Sequence, residues 1–446
     1  MDGSTSLGSA ALSSNSAQLT LSALTTGTHA ITAVYSGNAN LSASTSAALS
    51  QVVNAASTTT SVTSSQTPSA FGQSVTFTAT IQTAFGSSPT GTVTFLDGAA
   101  TLATVSVSGN AAQLSLSGLS LGSHSITAKY NGDPNFTAST SASFAQSVTQ
   151  AATTTNVTSN SNPSSYGQSV TFSALVSPAY TGIPTGTVTF FDGGTSLGSA
   201  GLSGGVATLT TAATSLLAGS HSITANYNGD SNFLASASTA FTQIVNPAAT
   251  STTLSSSANS SAAGKSVTFT ANVSSSVTST LTGTVNFYLD GGTTPIASSS
   301  LSAGSAHFST SSLGAGFHTL TAAFISSNSN FGSSTSASLM QSITDFTITA
   351  SPSSNTISRG SSGTYTLTLT PLGGLTGNVS LTCSGAPSNG SCAISPSTVT
   401  LDGTNPAQAI VTVTINHNAG TGTRTLTFKG TAGTTTHSTT VTLHIN

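Results

Sequence analysis

A repeat of about 96 residues runs along most of the chain and restricts the possible folds more than any other sequence feature. The string Gly-Gln-Ser-Val-Thr-Phe occupies residues 72–77 and 167–172, and it recurs with Lys for Gln at residues 264–269. A Gly-x-His string occurs four times, and its histidines are His29, His124, His221 and His318. These histidines are 95, 97 and 97 residues apart, so each repeat has the length of one small domain.

Hydrophobic residues alternate with polar ones inside each repeat. In residues 74–81, Val75, Phe77, Ala79 and Ile81 fall on one face, and three threonines fall on the other. This period of two is typical of antiparallel strands with one buried face, and turn residues such as Asp97-Gly98 separate the runs. The length and the pattern predict an all-β chain of tandem immunoglobulin-like β-sandwiches, arranged as an extended rod.

The composition is unusual in its lack of charge. Only 3% of the residues are charged, Glu is absent, and the net charge is −3. Hydrophobic residues make up 36% of the chain, which argues against disorder. Because the five cations form no basic patch, we expect no nucleic-acid binding, and the apolar runs are too short for a membrane-spanning segment.

The repeat predicts five segments. Residues 55–150, 151–247 and 248–344 are three complete copies, of which the third is divergent, and residues 345–446 form a different β-sandwich. Residues 1–54 match only the second half of a repeat, since Asp2-Gly3 corresponds to Asp97-Gly98. This half-copy and the lack of signal-peptide features at residues 1–4 favour a fragment of a larger protein. The joins between copies are short, which favours a semi-stiff rod on the order of 150 Å long.

The string Tyr130-Asn131-Gly132-Asp133-Pro134-Asn135-Phe136, with Gly122-Ser123-His124 before it, resembles a bacterial Ig-like repeat family, the Big_3-like group. The resemblance covers residues 1–344, and it implies extracellular β-sandwiches with spacer, adhesive or accessory roles and no catalytic residues. Residues 382–385 and 392–396 resemble a second bacterial Ig-like type. The fourth copy departs from the pattern, with Phe324 for Tyr and with Ser327 and Ser329 where other copies have Gly132 and Asp133. If those residues bind a ligand, the fourth copy is not expected to bind it.

Cys383 and Cys392 are the only cysteines and flank a turn of Gly, Pro, Ser and Asn. A disulfide closing a hairpin is the favoured prediction, as in small secreted domains. A redox pair would favour the Cys-x-x-Cys spacing, and a zinc site would need two more ligands.

The recurring histidines and tyrosines are predicted to support the structure of the repeat. The histidines begin a strand, and Tyr35, Tyr130 and Tyr227 end it, where a phenol can fix a corner of the sandwich. A Ser–His–Asp arrangement stays open on composition alone, but no Gly-x-Ser-x-Gly string occurs in a strand–turn–helix context.

Carboxylates are too few and too scattered for a typical pair of catalytic acids, because the chain has eight Asp and no Glu. Asp133 with Asn131 and Asn135, or Asp230 with Asn228 and Asn232, can at most form a weak calcium site. The predictions are therefore no catalytic residues, no cofactor and no resident metal.

The sequence favours a non-catalytic extracellular stalk or adhesion scaffold on a bacterial surface. Expected partners are cell-surface glycans or proteins and neighbouring domains of a longer chain. One alternative is an adhesive binding module. Another is an accessory or carbohydrate-binding region of a secreted enzyme whose catalytic domain is absent from this chain.

Overall fold

The computed structural model describes residues 1–85 and 88–446. Every regular element in these two ranges is a β-strand, which confirms the all-β prediction. No helix in them is long and apolar enough to cross a membrane. The chain divides into two compact units: residues 1–160, 171–211 and 222–242 form the first, and residues 161–170, 212–221 and 243–446 form the second. The division falls within residues 151–247, and the domain boundaries drawn from the repeat stay a prediction.

Residues 1–54 contain four short strands. They are β1 Gly27–Ile31, β2 Val34–Tyr35, β3 Ser44–Thr45 and β4 Leu49–Val53. β1 pairs with β4 and β2 with β3, both antiparallel.

Residues 55–150 form a sandwich of two sheets. The strands are β5 Thr58–Ser64, β6 Ser69–Ala70, β7 Val75–Thr83, β8 Thr92–Asp97, β9 Ala100–Ser106, β10 Ala111–Leu116, β11 Gly122–Tyr130, β12 Ser139–Thr140 and β13 Phe144–Thr149. One sheet has the order β10-β7-β5, and the other has the order β6-β13-β11-β8-β9, with β12 beside β11. Val75, Phe77, Ala79 and Ile81 of β7 are buried between the sheets, as their alternation predicts.

Residues 151–247 repeat this strand pattern. The strands are β14 Thr153–Ser159, β15 Ser164–Ser165, β16 Thr171–Pro178, β17 Thr187–Asp192, β18 Thr195–Gly201, β19 Val206–Thr210, β20 Gly219–Tyr227, β21 Ser236–Ala237 and β22 Phe241–Asn246. In the first unit, β16 lies between β14 and β19, and β17 pairs with β18 and β20. In the second unit, β15 and β22 pair in parallel.

Residues 248–344 form a third such sandwich. The strands are β23 Thr250–Ser256, β24 Ser260–Ala262, β25 Val267–Ser275, β26 Gly283–Leu289, β27 Ala297–Ser300, β28 Ser305–Thr310, β29 Gly316–Ser326, β30 Ser334–Thr335 and β31 Leu339–Ser351. β31 runs through the predicted boundary at 344/345. Its first part pairs with β29, and residues 345–351 pair with β33 of the next segment.

Residues 345–446 complete the second unit. The strands after β31 are β32 Ser354–Ile357, β33 Ser362–Leu372, β34 Thr376–Ser384, β35 Gly390–Ser395, β36 Thr398–Asp402, β37 Ala407–Ile415, β38 Gly422–Ala432 and β39 Thr435–Ile445. One sheet has the order β32-β39-β38-β34-β36, and the other joins β31, β33, β37 and β35. Buried apolar residues fill the space between them, including Tyr365, Leu367, Val411 and Phe428.

Candidate functional site

Three of the recurring histidines, His29, His124 and His318, lie in a cluster that we name the histidine clamp: the ring, an Asp at the Asp-Gly turn and a backbone carbonyl. In residues 55–150, Nδ1 of His124 on β11 lies 2.7 Å from Oδ2 of Asp97 at the end of β8. Nε2 lies 2.8 Å from the carbonyl oxygen of Ser120. The amide of Ser125 donates to Oδ1 of Asp97 at 3.0 Å, so both carboxylate oxygens are used.

The clamp recurs in other copies. The Nδ1-to-Oδ2 distance is 2.6 Å for His29 and Asp2 and 2.9 Å for His318 and Asp290. Nε2 of these rings faces the carbonyl oxygens of Thr25 and Gly314 at 2.7 and 2.9 Å. In residues 151–247, Nε2 of His221 lies 2.8 Å from the carbonyl oxygen of Leu217. The amide of Ser222 donates to Oδ1 of Asp192 at 3.1 Å in the same segment.

These contacts favour the protonated ring. The hydrogen bond to Asp2 and then the Thr25 carbonyl raise the pKa of His29, and Asp290 does the same for His318. Burial opposes protonation of His124, but the Ser120 carbonyl and Asp97 outweigh it, and the net effect raises the pKa of His124. Only an imidazolium can donate from both nitrogens. A Ser–His–Asp base would instead need Nε2 free for a serine hydroxyl, and here Nε2 is held by a carbonyl.

Sequence reasoning identified the histidines but missed their partners. The sequence predicts these aspartates only as turn residues. A signal was present, because each clamp Asp precedes its His by 27 or 28 residues in three copies.

A buried glutamine was also missed. Gln146 has no exposed surface, and its Oε1 accepts a hydrogen bond from Ser64 at 2.8 Å while its Nε2 donates to Ser69 at 3.0 Å. Gln341 is equally buried and is bonded to Ser256 at 2.7 Å. The recurrence of this glutamine in the repeat was the available signal.

The Tyr-Asn-Gly-Asp turn is held by its carboxylate. Oδ2 of Asp133 accepts from the amide and hydroxyl of Thr90, both at 2.7 Å. Oδ1 accepts from the amides of Asn135 and Phe136 at 2.8 and 2.9 Å. Burial opposes ionisation, but these hydrogen bonds outweigh it and lower the pKa of Asp133. Asp230 makes the matching contacts with Thr185. The carboxylate oxygens that a calcium ion would need already accept protein donors.

The tyrosines that end the clamp strand have different surroundings. Tyr130 and Tyr227 are buried, and their hydroxyls make no hydrogen bond of good geometry among the described residues. Burial first, and then the charge of Asp133 or Asp230, raises the pKa of each tyrosine to about 12. Tyr35, in the half-copy, is only half-buried.

The divergent fourth copy keeps the turn with different atoms. Ser327 donates from its hydroxyl to Thr282 at 3.0 Å, which is the counterpart of the contact between Asp133 and Thr90. Asn328 takes the place of Asp133 in the turn itself, because its Oδ1 accepts from the amide of Asn330 at 3.0 Å as Oδ1 of Asp133 accepts from Asn135. The sequence alignment that set Ser329 against Asp133 is therefore wrong by one position. A hydroxyl and an amide oxygen share the place of a carboxylate that accepts four hydrogen bonds.

A disulfide joins Cys383 and Cys392, whose Cα atoms are 6.3 Å apart. The predicted bond is present, but the predicted hairpin is not. Cys383 lies on β34 and Cys392 on β35, and these strands belong to different sheets. The disulfide therefore ties the two sheets of residues 345–446 together.

Successive copies contact each other through the Asn-Phe end of the turn, and we name each such contact a joint. In the first unit, the ring of Phe71 meets that of Phe233 edge-on, with centroids 5.6 Å apart. Thr181 donates from its hydroxyl to the carbonyl oxygen of Gly72 at 2.9 Å. Gly72 has a φ of +77°, and a side chain there would collide with the backbone of Thr181.

The second unit contains an equivalent joint. Tyr166 meets Phe331 edge-on at 5.6 Å, and the amide of Ala218 donates to Oδ1 of Asn330 at 2.7 Å. Gly167, the counterpart of Gly72, lies against the side chain of Val277. The motif glycine and the aromatic residue before it thus serve contacts between copies, a role that the sequence did not reveal.

The residues between copies are also fixed. The buried Ala151 donates its amide to the carbonyl oxygen of Asn232 at 3.0 Å and accepts from Leu234 at 2.9 Å. Ala248 makes the matching pair of bonds with Asn330 and Gly332. Within residues 1–85 and 88–446, no three His, Cys, Asp or Glu side chains are placed to hold a metal ion.

The family model described as bacterial Ig-like domain (group 3) matches residues 1–54, 62–149, 157–246 and 254–344. The chain belongs to this family. The clamp, the turn and the joint therefore lie in tandem bacterial Ig-like domains, the family that the sequence resemblance predicted. The second resemblance, for residues 345–446, stays a prediction.

Several solved structures are similar to parts of the chain. The fibronectin(III)-like modules of Clostridium thermocellum CbhA match with 19% identity over 42% of this chain and 94% of theirs, at a TM-score of 0.20. Escherichia coli alpha-2-macroglobulin activated by porcine elastase matches with 11% identity over 95% of this chain and 47% of its own, at a TM-score of 0.26. The S-layer protein rSbsC(31-844) matches with 15% identity over 87% of this chain and 54% of its own, at a TM-score of 0.22. The chain spans about half the length of the last two. No curated protein matches it.

Proposed function

We propose that the chain is a non-catalytic stalk or adhesion scaffold outside a bacterial cell, part of a larger secreted or surface protein. The joints carry this proposal, because they hold neighbouring Ig-like domains by packed rings and hydrogen bonds rather than by a free linker. Membership of the bacterial Ig-like family and the disulfide, which fits an oxidising compartment, support the location.

The chemistry of the clamps supports a structural role. In the clamps of His29, His124 and His318, both ring nitrogens and the paired carboxylate hold backbone or side-chain groups of the same domain. A ring held in this way stabilises a hairpin end and has no nitrogen left for proton transfer to a substrate. Cell-surface glycans or proteins are the partners we propose for an adhesive role.

Limited proteolysis tests the joint. We expect Phe71→Ser to speed cleavage by proteinase K near residues 150–152 at least fivefold, because the ring contact with Phe233 is lost. Phe85→Ser is the matched control, since Phe85 is 75% exposed and should leave cleavage unchanged. Equal cleavage of the wild type and Phe71→Ser would mean that the joint does not hold the domains together.

A glycan array and a panel of surface proteins test adhesion. Binding by the intact chain would establish the adhesive role, and its absence would leave the stalk role alone.

A further inference from the structure

The loop before β25 differs from its counterparts in the two preceding copies. Phe71-Gly72-Gln73 and Tyr166-Gly167-Gln168 correspond here to Ala263-Gly264-Lys265. In the first two loops, the aromatic residue and the glycine contact the following copy. A side chain built at Gly264 would meet no atom of the described residues within 4 Å. The loop of residues 263–265 therefore lacks both contacts of a joint, and a methyl group stands where the other loops carry a ring.

A polar cleft of about 510 Å³ opens beside this loop. It is lined by the loop, by Asp345 on β31 and by the turn that joins β38 to β39. Its polar groups belong to Lys265, Asp345, His437 and the three threonines of residues 434–436. Small-molecule sites in proteins have volumes of roughly 300–1,000 Å³, so the cleft is large enough for a ligand.

Lys265 brings a positive charge to a position where the other copies use an amide internally. Oε1 of Gln73 accepts from the amide of Ala70 at 2.9 Å, and Oε1 of Gln168 accepts from that of Ser165 at 3.2 Å. An ammonium group has donors and no acceptor, so Lys265 cannot close its loop in the same way. Its exposed side chain is therefore available to an added acceptor.

Asp345 and His437 form a fixed pair at the cleft. Nε2 of His437 lies 2.6 Å from Oδ1 of Asp345, and the ring packs edge-on against Phe346 with centroids 5.0 Å apart. The amide of Phe346 also donates to Oδ1 of Asp345, at 2.8 Å. Because both contacts use Oδ1, the second carboxylate oxygen can accept a further hydrogen bond. Groups that are already held in place lose little freedom when a ligand binds.

The mixture of groups favours a neutral ligand with many hydroxyls. The charges of Lys265 and Asp345 are opposite, so together they add no net charge to the cleft. Asp345 would repel a phosphate, a sulfate or a carboxylate, and Lys265 would repel a metal ion. A hydroxyl can donate to a carboxylate and accept from an ammonium or another hydroxyl, and the cleft offers all three partners.

We propose that this cleft binds a neutral sugar residue of a cell-surface glycan. One sugar hydroxyl donates to Oδ2 of Asp345, and another accepts from the ammonium of Lys265. The hydroxyls of residues 434–436 add further hydrogen bonds. This site rests on the adhesive role proposed above and gives that role a location on the chain.

The test measures binding of the full chain to polymer-linked galactose, mannose and N-acetylglucosamine by biolayer interferometry. Polymer-linked glucuronic acid is the charged comparison. We expect binding to at least one neutral conjugate and at least fivefold weaker binding to the acidic one. On addition of the free neutral sugar, the ring signals of His437 should shift in NMR spectra, whereas those of His444, at the other end of β39, should stay in place.

Variants locate the site. Lys265→Gln should weaken binding at least fivefold, and it restores the residue that two folded copies carry at this position. Asp345→Asn should also weaken binding at least fivefold, because an amide cannot offer the acceptors of a carboxylate. Lys429→Gln is the matched control, since it removes the same charge from an exposed lysine of β38 outside the cleft, and it should change binding less than twofold.

Three results would overturn this site. Binding that Lys265→Gln and Asp345→Asn both leave unchanged would place adhesion elsewhere on the chain and leave the adhesive role standing. Binding to the glucuronic acid conjugate alone would refute a neutral sugar as the ligand. Binding to none of the conjugates would remove the sugar site, while the stalk role, which proteolysis of the joint tests separately, would be unaffected.

Discussion

The histidine clamp makes the stability of residues 55–150 depend on the protonation of one ring. Both nitrogens of His124 face acceptors, so the folded domain binds the ring proton more tightly than the unfolded chain does. A pKa raised on folding adds stability that is complete below the unfolded pKa of about 6.5. That stability is lost as the pH rises through the raised value.

His124→Gln should therefore lower the stability of residues 55–150 more in acid than in base. We expect the variant to lower the free energy of unfolding of residues 55–150 by about 1 kcal/mol at pH 5 and by less at pH 9, because the clamp is partly exposed and screened by water. Chemical denaturation at the two pH values, followed by hydrogen exchange of this segment, measures the difference. In an Asp97→Asn background, the extra loss at pH 5 should shrink. The same loss at both pH values would contradict a protonated clamp.

Asp133 gives the opposite pH dependence. Its lowered pKa adds stability that is present above the unfolded value of about 3.8 and is lost as the pH falls through the folded value. Asp133→Ala should destabilise residues 55–150 by about 1–2 kcal/mol at pH 7, because four hydrogen-bond donors lose their acceptor. In the fourth copy, Ser327→Ala removes only the counterpart of the contact with Thr90, so it should lower the free energy of unfolding by less. Hydrogen exchange of the two segments compares the costs, and equal costs would count against this account of the turn.

For single residues, the sequence was a good guide to which side chains support the repeat and a poor guide to their contacts. His124 and Tyr130 stood out because they recur in register. The pairing of His124 with Asp97 depends on which strands become neighbours, and β11 pairs with β8 although β9 and β10 lie between them in the chain. No local pattern contains that register, so only the constant spacing of the two residues pointed to it.

At the scale of strands, alternation was a sufficient guide to the buried faces, as β7 shows. It did not predict that β34 and β35 lie in different sheets. A turn between two alternating runs looks the same in sequence whether the chain pairs back on itself or crosses to the facing sheet. For the same reason the disulfide was predicted correctly and its hairpin wrongly.

Replacing both cysteines by Ala should destabilise residues 345–446 by about 2–3 kcal/mol, since the bond closes a short loop in the unfolded chain. Calorimetry of the full chain should show one transition moving to lower temperature. Dithiothreitol should shift the same transition in the wild type and leave that of the double variant in place. A wild type indifferent to the reductant, with its bond shown to be reduced, would refute the stabilising role.

For the whole molecule, the sequence predicted separate domains joined by short linkers. Strand β31 instead connects residues 248–344 and 345–446 without a linker. Residues 339–343 of this strand pair with β29, and residues 345–351 pair with β33. The side chain of Asp345 also lies 2.6 Å from Nε2 of His437. The change of repeat type at residue 345 marked a boundary in sequence, but the backbone hydrogen bonding continues through it. A change in residue pattern carries no information on whether a strand ends there.

A shared strand should make residues 248–344 and 345–446 unfold together. Val411→Ala removes two buried methyl groups from the core of residues 345–446 and should lower the free energy of unfolding of this segment by about 2 kcal/mol. In the wild-type background we expect this change to reduce hydrogen-exchange protection in both segments by similar factors. Inserting Gly-Gly-Ser after Thr344 interrupts β31 while leaving the pairs on each side possible, so Val411→Ala should then affect residues 345–446 alone. If the uninterrupted chain already confines the loss to residues 345–446, the shared strand joins two independently stable sandwiches without coupling their unfolding.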